Sequence, residues 1–128
     1  MMNYFLVALG GALGASGRHG LSVLTLRWFG PGFPMGTLLA NIIGSALMGL
    51  LIGWLAFRGA HNTQAIRLFV GVGILGGFTT FSAFSLESFL MLEKKNYAAF
   101  AGYVSTSVLV SLAALALGLW LSRMVFST

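Results

Sequence analysis

The sequence predicts an all-α membrane protein of four transmembrane helices, and three observations carry that prediction. Hydrophobic residues make up 58% of the 128 positions and charged residues only 7%, where a soluble domain carries roughly 25% charged residues. Four apolar stretches each reach the length of about 20 residues that a hydrocarbon core about 30 Å thick requires. The 18 glycines are spread through those stretches instead of collecting in loops, the pattern of helices that approach closely in lipid. Other classes close quickly. The net charge of +5 comes from seven scattered basic residues, which is no nucleic-acid footprint. The absence of cysteine removes disulfides, iron–sulfur centres and thiol chemistry.

The first span covers about residues 3–26. Met1-Met2-Asn3-Tyr4 carries no basic side chain and three more spans follow, so we expect a retained helix and not a cleaved signal peptide. Gly30-Pro31-Gly32-Phe33-Pro34 is a breaker, after which the second span runs over 36–57. The third covers about 66–92 and the fourth 97–126, so the whole chain, 1–128, reads as one four-helix transmembrane domain. The short connections predict antiparallel neighbours. Gly10 and Gly14, Gly49 and Gly53, and Gly73 and Gly77 each stand four apart, which favours close backbone packing. Gly76-Gly77 has a second reading, because Phe78-Thr79-Thr80 follows and a β-branched pair holds a helix poorly. A break there would strand backbone groups at membrane depth, which is tolerable only where they face protein, water or an ion.

With four spans, the side shared by the termini and the second loop holds Arg58, Arg67 and Arg123, and the other side holds Arg18, Arg27, Lys94 and Lys95. Three against four is almost no bias, whereas a fixed orientation normally shows one. Insertion both ways is therefore expected unless another factor sets orientation. Two opposed copies could then pair about a two-fold axis in the membrane plane and form a polar path between them.

Polar groups inside a membrane are candidates for function. In span two, Thr37, Asn41 and Ser45 recur every four residues on one face. The Asn41 amide, with donors and an acceptor, can serve either a transport path or a helix–helix hydrogen bond. In span four, Tyr103, Ser107 and Ser111 form a second such stripe, which either lines a wet groove or bonds back to its own helix. In span three, Thr79, Thr80, Ser82, Ser85 and Ser88 alternate with Phe78, Phe81, Phe84 and Phe89. Phe81 and Phe84 share a face, as core or lipid contacts, or as rings whose positively polarised edges touch an anion. Acid groups are nearly missing: there is no Asp, and Glu87 and Glu93 lie toward the end of span three and in the loop beyond it. Donor-rich and carboxylate-poor favours an anion. His19 reads as an ordinary polar flank, and with only His61 besides it metal ligation by side chains is not expected.

Three blocks then carry a resemblance: Gly10-Gly11-Ala12-Leu13-Gly14-Ala15 followed by Arg18, Gly36-Thr37-Leu38-Leu39-Ala40-Asn41, and Gly76-Gly77-Phe78-Thr79-Thr80-Phe81-Ser82-Ala83-Phe84-Ser85 followed by Glu87. Over essentially the whole chain they resemble the CrcB/Fluc family of fluoride channels, the third block most specifically. The resemblance implies an antiparallel, dual-topology homodimer in the bacterial inner membrane, surrounded by lipid, with two pores through which fluoride leaks out of the cytoplasm. It implies no enzyme activity. It matches Asn41 to a pore asparagine, Phe81 and Phe84 to the phenylalanines whose edges face fluoride, and Ser111 to a pore serine, with Ser107 and Thr37 expected beside them. Arg18 matches a basic residue near the vestibule and Glu87 an acid at a pore mouth. Gly76 and Thr79 match positions whose backbone carbonyls, from both subunits, hold a central structural Na⁺ that is not transported. Leu115 stands where some members have threonine, and Ala83 replaces the commoner threonine between the pore phenylalanines.

The residues agree with this from another direction. Fluoride holds its water tightly, so a dry passage must replace those hydrogen bonds, and carbonyl oxygens at a helix break suit a hard cation. The rival is a small dual-topology exporter of cationic compounds. It fits the four spans and the charge tally, but it calls for an acid deep in span one, and this chain has none.

Overall fold

The computed structural model describes residues 1–58 and 63–126, so His61 lies outside the described residues. Within them every regular element is helical. Helix α1 covers Met2–Phe29 and α2 covers Met35–Arg58. We take residues 63–78 together as α3. It is an α-turn at Thr63–Ile66, a π-helix over Arg67–Leu75 and a last α-turn at Gly76–Phe78. Helix α4 covers Phe81–Glu93 and α5 covers Tyr97–Phe126. Three stretches, Met35–Phe57, Thr63–Glu93 and Tyr97–Phe126, are long and apolar enough to cross a membrane. Helix α1 is as long, at 28 residues, but its five glycines together with Arg18 and His19 dilute its apolar content.

The ends of the helices obey local chemistry. Gly30 caps α1 with φ of 76°, a left-handed conformation that only glycine adopts freely, and Pro31 and Pro34 keep the helix from resuming before Met35. Asn96 opens α5 by accepting the Ala99 N–H at 3.3 Å, an N-cap. Between α3 and α4, Thr79 (φ −83°, ψ 158°) and Thr80 (φ −152°, ψ 124°) are extended. The π-helix just before them has no counterpart in the sequence reading. Its wider turn is closed by the Gly76 N–H reaching back to the Gly71 carbonyl, and such segments tend to sit beside functional sites.

Glycine holds the helices together along two seams. In the first, α1 meets α3: a Cβ on Gly10 would strike the Phe69 carbonyl, one on Gly14 the Ile74 carbonyl, and one on Gly77 would lie 2.7 Å from the Gly11 carbonyl. In the second, α2 meets α5: a Cβ on Gly49 would strike the Leu115 carbonyl, and one on Gly118 the Ala46 carbonyl. The Ser122 hydroxyl fastens this seam by donating to the Leu50 carbonyl at 2.7 Å. In lipid, where apolar burial drives helices together only weakly, such close approach supplies the packing. Leu38 of α2, Phe84 of α4 and Tyr103 of α5 form a buried cluster.

Gly→Ala normally stabilises a helix interior by about 1 kcal/mol, so these seams make a sign prediction. At Gly14 the obstacle is backbone and cannot move aside, and overpacking costs about 1–3 kcal/mol. Gly14→Ala and Gly49→Ala should therefore lower the melting temperature of the detergent-solubilised protein. Gly20→Ala, whose Cβ would meet nothing within 4 Å, should not.

Candidate functional site

The two extended residues at the end of α3 are fixed from α2. Asn41 Nδ2 donates to the Thr80 carbonyl at 3.0 Å, and the Thr80 N–H donates to Asn41 Oδ1 at 2.7 Å. The side-chain amide thus pairs with a peptide unit as a neighbouring strand would, satisfying backbone that no helix can. Thr80 in turn starts α4, its Oγ1 accepting the Ala83 N–H at 3.1 Å. Thr79 turns its hydroxyl back to the Leu75 carbonyl at 3.0 Å, as does its N–H. From α1 the half-buried Arg18 donates Nε to the Gly77 carbonyl at 3.3 Å.

Directly against this pair lies a groove of about 380 Å³, lined by Asn41, Ser45, Phe81, Phe84, Ser107 and Ser111 among others. It sits at mid-length of α2 and α5. Five of the six residues expected along a pore are therefore brought together from three helices. Phe81 stands 77% exposed on its rim while Phe84 is buried, and the two rings lie 5.6 Å apart at 52°. The Ser107 and Ser111 hydroxyls are buried and have no partner within the fold. Each therefore has a donor to offer the groove. Leu115 also lines it, so the hydroxyl stripe of α5 ends there in an apolar side chain.

Thr37, the sixth, is elsewhere. It lines a second cavity of about 390 Å³ at the end of the bundle where α1 and α4 finish and α2 and α5 begin, together with Glu87, Lys94 and Asn96. One helical turn, about 5.4 Å, separates Thr37 from Asn41, and the Phe84–Tyr103 layer falls between them. The Tyr103 ring is packed 5.4 Å from Phe84 and 5.4 Å from Phe33. Its hydroxyl donates to Glu87 Oε1 at 3.3 Å. A sequence of side chains thus runs from the groove through Phe84 and Tyr103 to Glu87 and the end cavity. Tyr103 was visible in sequence only as the first member of the serine stripe, and Thr80 as a poor helix former and one of the polar residues of span three.

Gly76 is exposed in the single chain, and a Cβ there would meet only the Gly71 carbonyl, at 3.6 Å. No protein group covers that side of the chain. Among the described residues no group of three or more His, Cys, Asp or Glu could hold a metal ion.

Comparison with known proteins bears on the whole chain. Residues 5–119 match the family model of CrcB-like protein, Camphor Resistance (CrcB). A protein of Phenylobacterium zucineum (strain HLK1) named fluoride-specific ion channel FluC is 53% identical over 127 residues, covering 99% of this chain and all of its own length. One of the same name from Caulobacter sp. (strain K31) is 50% identical over 127 residues, 99% of each chain. Another, from Hyphomonas neptunium, is 49% identical over the same length. With such agreement from end to end, the chain belongs to the CrcB-like family.

Proposed function

We propose that this protein is a fluoride-selective channel of the bacterial inner membrane, which lowers cytoplasmic fluoride by passive efflux and so limits its toxicity. The observation that carries the reading is the groove in which Asn41, Phe81, Phe84, Ser107 and Ser111 meet, in a chain about half identical to proteins named fluoride-specific ion channels. A small anion entering a dry passage loses strong hydration, and the wall must return it. Ser107 and Ser111 offer unpartnered hydroxyls. Asn41 offers its second amide hydrogen, since Thr80 takes only one. The Phe81 and Phe84 edges carry partial positive charge without strongly binding water, so they can hold a dehydrated anion loosely enough for it to leave.

In this reading α1 is the fourth span, and the working unit is an antiparallel, dual-topology homodimer embedded in lipid. Two observations support the pairing. The groove is bordered by side chains exposed in the single chain, Phe81, Val108, Leu112 and Leu115, so one copy encloses it incompletely. The basic residues divide three against four. The reading also includes a structural Na⁺ held by the Gly76 and Thr79 carbonyls of both copies. Helix α3 ends at Phe78, its last carbonyls lack the next turn's donors, and oxygen ligands suit a hard cation. The ion would offset repulsion among carbonyls gathered at a two-fold axis.

Liposomes containing the protein should release fluoride rapidly and chloride far more slowly. Comparable release of both ions, or of neither, would overturn the reading. Asn41→Asp replaces amide donors with acceptors and should abolish nearly all fluoride flux. Phe81→Ile and Phe84→Ile keep apolar bulk and should lower flux per folded dimer more than they lower its melting temperature. If instead they lower stability while surviving dimers conduct normally, the rings are core and not pore.

Reporters fused to the C-terminus should be found on both sides of the membrane in comparable amounts. Two lysines added beside Arg123 should drive most copies to one orientation and reduce the number of functional dimers. A wild-type population wholly on one side would refute dual topology.

A further inference from the structure

Which carbonyls are left open where α3 ends is decided by where three N–H groups go. In a continuous helix each N–H bonds the carbonyl four residues earlier, so the Thr80 N–H would close on Gly76 and the Ala83 N–H on Thr79. Neither does. The Thr80 N–H goes to Asn41 Oδ1 at 2.7 Å, and the Ala83 N–H goes to Thr80 Oγ1 at 3.1 Å. The Thr79 N–H goes to Leu75. Of the neighbouring carbonyls, Leu75 is taken by Thr79, Gly77 by Arg18 and Thr80 by Asn41, while Phe78, whose helical donor would be the Ser82 N–H, is left open as well. At Gly76 and Thr79 the withdrawn donors have named new partners, Asn41 and Thr80.

We infer that Thr80, clamped by Asn41, is the positioning residue that creates the cation site, by diverting the two N–H groups that would otherwise occupy the Gly76 and Thr79 carbonyls. The inference rests on the proposed role of those carbonyls in holding Na⁺. Thr80 itself supplies neither ligand. Its backbone N–H is diverted by the Asn41 side chain, and its own side chain diverts Ala83. Asn41 therefore has two tasks: one edge of its amide shapes the ion-holding backbone, and its remaining N–H faces the groove. The cation site and the anion groove share one side chain. A loss of flux on replacing Asn41 would then mix two effects, whereas Thr80→Val, which keeps the β-branch and loses only Oγ1, touches the diversion of Ala83.

The test is the melting temperature of the purified full-length protein in detergent, titrated with NaCl against N-methylglucamine chloride at constant ionic strength. Wild type should be stabilised by Na⁺ in a saturable way. Thr80→Val releases the Ala83 N–H to compete with Na⁺ for the Thr79 carbonyl, and competition worth about one net hydrogen bond should raise the half-maximal Na⁺ roughly tenfold. Asn41→Leu should raise it at least as much, and Thr80→Ser, which keeps the capping oxygen, should remain within about twofold of wild type. A merely structural role would lower the melting temperature equally at every Na⁺ concentration and leave the half-maximal value unchanged. That result for Thr80→Val overturns the inference, whether or not Asn41→Leu folds. A wild type with no Na⁺ response removes the cation site itself, and this inference with it.

Discussion

A peptide unit that leaves a helix at membrane depth must find partners in the protein, because lipid has none to offer. The rest of this structure depends on how that requirement is met at Thr79 and Thr80. Each unsatisfied backbone group in hydrocarbon costs several kcal/mol, comparable to a good part of a domain's total stability of about 5–15 kcal/mol. The fold answers with three helices at once. Asn41 from α2 pairs with both polar groups of Thr80, Arg18 from α1 takes the Gly77 carbonyl, and Thr80 caps α4. The interruption is thereby held in one geometry, and it aims Phe81 and Phe84, the first turn of α4, at the serine stripe of α5.

That geometry needs a rigid frame, and the glycine seams supply it. Contacts between backbones leave little rotamer freedom to absorb a shift, so α1 locks the π-helical part of α3 while α5 locks α2. Leu38 of α2, Phe84 of α4 and Tyr103 of α5 form a small core that ties α4 to the second pair. The π-helix adds a residue to the turn just ahead of Gly76, which rotates the Gly76–Phe78 turn relative to the start of α3. Gly71 and Gly73, buried within it, let neighbouring helices close over the wider turn.

Much of this was legible in the chain, and the exceptions share a cause. Helix limits obey hydrophobic length and local breakers, so 36–57 and 97–126 lie within a residue of the observed Met35–Arg58 and Tyr97–Phe126. The glycine pairs at Gly10 and Gly14 and at Gly73 and Gly77 indeed form a seam. Propensity marks a weak place in the third span at Gly76-Gly77 and the β-branched pair Thr79-Thr80 that follows. Both glycines are helical, and the extended conformations fall on Thr79 and Thr80. Propensity marks a region where a helix is easily given up, but the residue that leaves it is chosen by a partner 39 positions away. The same holds for Thr37. Its i, i+4 spacing to Asn41 is correct, yet the layer of Phe84 and Tyr103 divides the stripe, and only tertiary packing puts it there. The π-helix has no periodicity signature beyond a local density of glycine.

Two of the three buried, unpartnered serines, Ser107 and Ser111, bear on what the groove must contain, while Ser88 lies outside it. A buried hydroxyl with no partner costs about 1–3 kcal/mol, so Ser107 and Ser111 together would consume a sizeable share of a marginal fold's stability if nothing ever met them. Serine on a helix can bond back to its own turn, and Ser122 shows that α5 can instead send a hydroxyl across to a neighbouring carbonyl. Ser107 and Ser111 do neither, although Ser122 lies on the same helix. Both residues line the groove that Asn41, Phe81 and Phe84 also line. A water or an anion held there could accept hydrogen bonds from hydroxyl and amide donors alike. The phenyl edges, poor partners for water, weight the balance toward the anion.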